Sequence, residues 1–303
     1  MKIANACAVA SVLAAVYLFT AIAPAGADDV IGTQRIRVIG EEDTLYDIAI
    51  EENLGIVELR AANPGVDPWL PPLGARIVIP SAHLLPSGPQ RGIVINLGDR
   101  RLYFFGPQPG DVSSFPIGIG HAATVTPVGE TTVVRKRENP TWIPPASIRA
   151  ERPLLPAAIA PGPGNPLGKH ALDLGWTNYV VHGTNRPYGI GRRISHGCIR
   201  LHGGDIAQLF ASVPIGTPVR VVDEPIKLGW TAGELYLEVH PTQDQADQID
   251  ETGSFTLAGY GDLIGRVADA AGNQANKIDW DLVRRTADQR RGVPVRITRR
   301  SPA

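Results

Sequence analysis

Cys198 follows His182 by sixteen residues, and the two bracket the most glycine-rich and histidine-rich stretch of the chain. It reads Val181-His182-Gly183-Thr184-Asn185-Arg186-Pro187, then Gly189-Ile190-Gly191, then Ser195-His196-Gly197-Cys198-Ile199-Arg200-Leu201. A cysteine attacks as its thiolate, and a nearby imidazole can take its proton or steady the anion. A loop of this length can return and set His182 beside Cys198. His196, at i and i+2 on extended chain, projects to the same face as Cys198. Glycines let the backbone approach a ligand and aim N–H groups at a developing oxyanion. Two other readings compete. Free cysteines are often inert buried side chains. Zinc held by His182, His196, Cys198 and His202 fits no known ligand spacing and has no second cysteine to call on, so no metal and no cofactor is expected. His83, His121, His170 and His240 stand apart from the cluster, and Arg186, Arg192 and Arg193 read as a solvated loop face.

The elements that must position these groups are mostly short strands. Gly92–Leu97 and Arg101–Phe105, split by Gly98-Asp99-Arg100, predict a hairpin. Further β-like runs are 112–119, 131–135, 179–182 and 219–222, with prolines and glycines between them. Many short strands with frequent turns predict a sandwich or barrel rather than a βαβ fold. One helix interrupts them: Asp205 reads as its N-cap, and Ile206, Leu209, Phe210 and Val213 share a face. The tail from Glu224 predicts a strand at 235–240, then helices near 262–271 and 279–290.

The chain has 303 residues, 29 basic and 30 acidic side chains, and a formal charge of −1. That balance excludes a broad basic surface, so nucleic acid is not an expected partner. With 43% apolar and 19% charged residues, wholesale disorder is excluded. Lys2, an uncharged run over 7–22 and Ala25-Gly26-Ala27 have the layout of a cleavable secretory leader over 1–27; an uncleaved anchor is the rival reading. Cleavage removes Cys7 and leaves Cys198 as the single thiol of an exported protein, which points to reactivity or to intermolecular pairing.

Residues 34–82 form a second unit. Arg35–Val38 alternates as a strand, Thr44 to Asp47 fits a helix cap, Ile56–Ala62 is helical, and Asn63-Pro64-Gly65 stops it before a strand at 76–80. The order is strand, helix, helix, strand.

These residues carry two resemblances. Asp43-Thr44-Leu45-Tyr46-Asp47-Ile48-Ala49, Ala62-Asn63-Pro64, Leu73-Gly74 and Ile77-Val78-Ile79-Pro80 resemble a LysM domain, which implies binding to the glycan of peptidoglycan. His182-Gly183-Thr184-Asn185 with Ser195-His196-Gly197-Cys198-Ile199-Arg200-Leu201 resembles the L,D-transpeptidase (YkuD) catalytic domain, supported by Pro116 to Gly120, Thr126-Pro127-Val128-Gly129-Glu130 and Asn139-Pro140-Thr141-Trp142. The implied fold is a mainly β catalytic domain, a sandwich with one or two helices, beside a small α+β (βααβ) LysM-like domain and a mixed C-terminal extension. The implied divisions are a leader at 1–27, the LysM-like domain at 34–82, a linker at 83–90, the catalytic domain at 91–223 and the extension at 224–303.

The transpeptidase resemblance implies Cys198 as nucleophile, His182 as general base, His196 and Gly197 at the oxyanion site, and Ser195 in local support. Thr184, Asn185, Arg200, Tyr188 and Trp142 are the candidate substrate-binding residues. The implied substrate is a tetrapeptide stem that loses D-alanine while its third residue, a diamino acid, is held on Cys198 as a thioester. The acceptor is a second stem or the lysine of an outer-membrane lipoprotein, in the periplasm of a Gram-negative bacterium. Water as acceptor gives an L,D-carboxypeptidase, and another Cys-dependent peptidoglycan hydrolase would use the same site.

Overall fold

Residues 28–299 are described by the structure, a computed structural model; the expected leader lies outside the described residues. Among the described residues no helix is long and apolar enough to cross a membrane.

The first unit comprises β1 (Val30–Gly32), β2 (Arg35–Val38), α1 (Leu45–Glu51), α2 (Ile56–Ala62), β3 (Arg76–Ile79) and β4 (Ala82–Leu84). Thr44 caps α1 by accepting the Asp47 N–H at 3.0 Å. α2 stops at Asn63, whose amide donates to Leu59 O at 2.9 Å and Val78 O at 2.8 Å while its oxygen accepts the Val78 N–H at 2.7 Å. One side chain thus ends the helix and ties it to β3. β2 and β3 pair antiparallel, so the strand, helix, helix, strand order stands. The expected linker is shorter than its predicted bounds. His83 and Leu84 are buried in β4, where Leu84 pairs with Val30, and the exposed join begins only at Ser87.

The second unit comprises β5 (Gly92–Asn96), β6 (Arg101–Phe105), β7 (Val112–Pro116), β8 (Ile119–Gly120), β9 (Gly129–Glu138), α3 (Ala146–Glu151), β10 (His170–Leu174), β11 (Val180–His182), β12 (Arg193–Ser195), β13 (Ile199–Arg200), α4 (Gly203–Ser212) and β14 (Pro218–Val222). The mainly β class holds, with one difference. In place of two separate sheets, one eight-stranded sheet runs β13-β11-β10-β9-β14-β5-β6-β7. Its fold line is β9: residues Gly129–Thr132 pair with β14, whereas residues from Val133 on pair with β10. The two halves close on one core, in which Ile95, Leu102 and Phe115 from one side meet Leu172, Val181 and Ile199 from the other, with Ile206 and Leu209 of α4 between them. α4 starts three residues earlier than the sequence suggests. His202 holds the cap position, and Asp205 sits in the first turn accepting a bond from Asn53 at 3.1 Å.

The third unit comprises β15 (Ile226–Thr231), β16 (Glu234–Val239), α5 (Gln243–Thr252), α6 (Leu263–Ala271), α7 (Trp280–Gln289) and β17 (Val295–Arg296). β15, β16 and β17 form a sheet with its own apolar core against α6 and α7. α5 belongs elsewhere: Ala246 and Ile249 are buried in the core of the first unit, against α2. Arg192 and Arg193, expected to be solvated, reach this helix. They pair with Asp250 at 2.7 Å and Asp247 at 2.9 Å.

All three units meet at a buried polar hub. Lys227 Nζ touches Asp99 at 2.7 Å, Glu238 at 2.8 Å and the Leu84 carbonyl at 2.7 Å. Tyr103 donates to Asp99 at 2.7 Å, and Glu238 also meets His240 at 2.5 Å. Close by, Glu58 of α2 accepts two bonds from Arg101 Nη1, at 2.9 and 3.1 Å, and a third from the Gly55 N–H at 3.1 Å. Among the described residues, Asp99, Glu238 and His240 form the one His/Cys/Asp/Glu group close enough to share a metal ion, and the Lys227 ammonium already lies against two of them.

Candidate active site

β11 and β13 lie parallel, with Val181 beside Ile199 and His182 beside Arg200. This register carries the two histidine–cysteine motifs to one edge of the large sheet. The turn between β12 and β13 is held on all sides. Ser195 Oγ donates to Cys198 O at 2.6 Å, and Thr126 Oγ1 donates to Gly197 O at 2.9 Å. Thr124 Oγ1 reaches Ser195 O at 3.3 Å. Gly197 adopts φ +96°, and a Cβ there would stand 2.9 Å from the Tyr179 ring, so both conformation and space demand glycine. Ser195 therefore shapes the cysteine turn.

Cys198 and His182 open on one cleft of about 490 Å³, which Ser195, His196 and Arg200 also line. Cys198 opens as well on a second cleft of about 620 Å³, on the side of Asp173 and Val180. Trp142 lines both. The Cys198 thiol lies 3.5 Å from the Asn178 carbonyl.

Burial governs the charge state of the pair. His182 is pushed down to about 4, first by loss of solvent and then by the nearby Arg200 charge, so it is neutral at physiological pH. Its Nδ1 lies 2.5 Å from the Gly183 carbonyl. A carbonyl only accepts, so Nδ1 carries the proton and Nε2 keeps its lone pair. Burial also pushes the Cys198 thiol up, against the opposing pull of the Val180 backbone and Arg200. The two side chains that open on this cleft are thus a neutral thiol and a neutral imidazole.

The other predicted residues divide. His196 lines the smaller cleft and meets Glu151 of α3 at 2.9 Å, with the His121 ring edge-on at 5.3 Å. Arg200 lines that cleft, and its backbone exchanges two 2.9 Å bonds with Gly118. Thr184 and Asn185 bond to backbone: Thr184 accepts the Arg186 N–H of its own loop at 3.0 Å, and Asn185 donates to Gly164 O of the loop before β10 at 3.1 Å. Tyr188 is placed outside both clefts. It donates to Asp47 Oδ1 at 2.9 Å and sets its edge to the Tyr46 ring at 5.5 Å, so it docks the first unit instead of lining the peptide groove. The tight turn that starts at Pro187 turns the ring that way. Missed by sequence reasoning were Thr124, His121 and Glu151. Thr126, the first residue of the Thr126-Pro127-Val128-Gly129-Glu130 motif, holds the cysteine turn through its hydroxyl on Gly197 O.

Residues 90–221 match the family model of the L,D-transpeptidase catalytic domain, YkuD. The probable L,D-transpeptidase YcfS of Escherichia coli (strain K12) is 39% identical over 286 residues, covering 91% of this chain and 87% of the relative. The probable L,D-transpeptidase YbiS of the same strain is 42% identical over 225 residues, covering 72% and 73%. The probable L,D-transpeptidase ErfK/SrfK is 43% identical over 202 residues, covering 65% of each.

Proposed function

The chain belongs to the L,D-transpeptidase family and is an enzyme of peptidoglycan, and on that premise we propose how its own residues carry the reaction. The observation that carries the proposal is that Cys198 and a neutral, tautomer-fixed His182 share one cleft. His182 Nε2 takes the thiol proton as sulfur attacks the carbonyl of the third stem residue. The tetrahedral oxyanion lies against the backbone N–H groups of the Gly197 turn, with His196 beside it. Collapse breaks the amide, His182 returns its proton to the departing D-alanine amine, and a thioester remains on Cys198. An acceptor amine then attacks the thioester and gives its proton to His182; the C–S bond breaks, that proton passes to the Cys198 sulfur, and the new amide departs. One amide is exchanged for another, so the reaction needs no nucleotide.

Two clefts meeting at one sulfur suit two substrates. Both the departing and the arriving amine must reach Nε2, so both belong to the smaller cleft, which His182 lines. Arg200, with its buried Nε lacking a partner among the described residues, faces the carboxylate of the leaving D-alanine. The acceptor is a second stem or a lipoprotein lysine, and the protein works in the periplasm after loss of residues 1–27. The LysM-like unit holds the glycan to which the stems are attached.

Incubation with purified disaccharide-tetrapeptides, with and without a lysine peptide, separates the outcomes. Stem dimers or lysine adducts support transfer, whereas tripeptide alone identifies a carboxypeptidase. Cys198→Ala should abolish every product while binding to the glycan persists. Product formation by that variant would falsify the nucleophile assignment.

A further inference from the structure

The larger cleft contains charge that the chemistry above leaves unused. Arg135 and Arg137 stand at alternate positions of β9, so both project to one face of the sheet. Asp173 on β10 meets them: Arg135 Nε at 2.5 Å on one oxygen, Arg137 Nε at 3.1 Å and Nη2 at 2.7 Å on the other. Two guanidinium groups against one carboxylate leave a surplus positive charge. All three residues line the cleft that Cys198 shares. Their exposure is graded, with 12% of the Asp173 side chain, 25% of Arg137 and 66% of Arg135 open to solvent. Asp173 works as a splint. It grips Arg137 along its Nε–Nη2 edge and leaves Nη1 for a second acceptor. Trp142 and Trp176 line the same cleft and suit an aliphatic chain leading to that acceptor.

The side of the cleft decides which substrate part lies there. Both amines belong to the His182 side, so the acyl half of the donor stem is left to the larger cleft. The residue that becomes the thioester then extends its own side chain toward Arg137.

We infer that Arg137, splinted by Asp173 and assisted by Arg135, binds a carboxylate on the side chain of the donor's third residue. The cleft thereby selects stems built on a diamino dicarboxylic acid over stems built on lysine. This subsite rests on the Cys198 mechanism proposed above, because that mechanism sets which half of the donor occupies the cleft. Losing one charge-assisted contact of about 1.5–3 kcal/mol corresponds to roughly 10–100-fold in kcat/KM.

The test compares two disaccharide-tetrapeptides that differ only at the third residue, meso-diaminopimelate in one and L-lysine in the other. D-alanine release is measured for both. The wild-type protein should prefer the diaminopimelate stem by about 10–100-fold. Arg137→Gln should cut that ratio at least ten-fold. Arg137→Lys, which keeps the charge and loses the fork, should fall between, and Arg135→Gln should have the smallest effect. A wild-type ratio near one, or a ratio unchanged by Arg137→Gln in an enzyme still turning over, overturns the subsite. Cys198→Ala runs alongside: continued D-alanine release there defeats the nucleophile assignment, whereas an inactive Cys198→Ala with an unmoved Arg137→Gln ratio defeats the subsite alone.

Discussion

Two regions bury ionisable groups, and they use burial in opposite ways. At the candidate site His182 loses solvent beside the like charge of Arg200, and burial of Cys198 outweighs the pull of Arg200 on its thiolate, so both are driven toward neutrality. At the junction of the three units, burial alone would discharge Lys227 and Asp99. Instead the Asp99 and Glu238 carboxylates hold Lys227 well above its ordinary range, and Lys227 holds Asp99 below its own. Desolvation that outweighs the nearby charges leaves a neutral pair, whereas desolvation answered by close counter-ions makes a lock. The difference lies in partners, not in depth: His182 is 4% exposed and Lys227 2%.

The comparison breaks most readily at the lock. Lys227→Met leaves Asp99 and Glu238 as buried carboxylates without their cation, and should cost about 3–5 kcal/mol. Urea unfolding measures it; a loss under 1 kcal/mol would show that the hub is not electrostatically closed. At the active site the expected effect is on pH dependence. A histidine held near 4 stays an effective base well below the ordinary histidine value of about 6.5. The acid limb of kcat/KM should therefore lie between pH 4 and 6.5, and a limb centred at 6.5 or above contradicts the neutral resting pair. The same shift has a stability sign. In that window the unfolded chain binds the His182 proton and the folded one does not, so this contribution to stability is lost as pH falls from about 6.5 toward 4. The smallest effect belongs to a pair outside both regions. Arg284 and Asp281 meet at 2.8 Å on the solvent face of α7, and Arg284→Ala should change stability by less than about 0.5 kcal/mol.

The residues that line the candidate site were legible in the sequence because the cysteine, the histidines and the permissive glycines fall within one short stretch. The hub was invisible there. Its partners are separated by 43 residues for Arg101 and Glu58, and by 128 for Lys227 and Asp99, so no local pattern announces them. Arg101 looked like an ordinary hairpin residue. α5 escaped notice because few of its residues are apolar, and its buried face makes sense only against α2. β10 was missed too. His170-Ala171-Leu172-Asp173-Leu174 carries no β-branched side chain, and its strand character comes from pairing with β9 and β11. Tyr188 was misplaced because a motif neighbour in sequence need not face the same way.

The single sheet folded at β9 also sets the order in which this protein can assemble. Its middle depends on β14 lying parallel to β5, and at the end of that pairing Asn96 bonds to Glu224, 128 residues away. The hairpin of β5 and β6 can form early, but the sheet joins only after one of the longest loops in the chain has closed. The cysteine lies inside that loop. A partly emerged chain therefore carries its thiol in an unfinished sheet, and reactivity arrives with the last strands instead of the first.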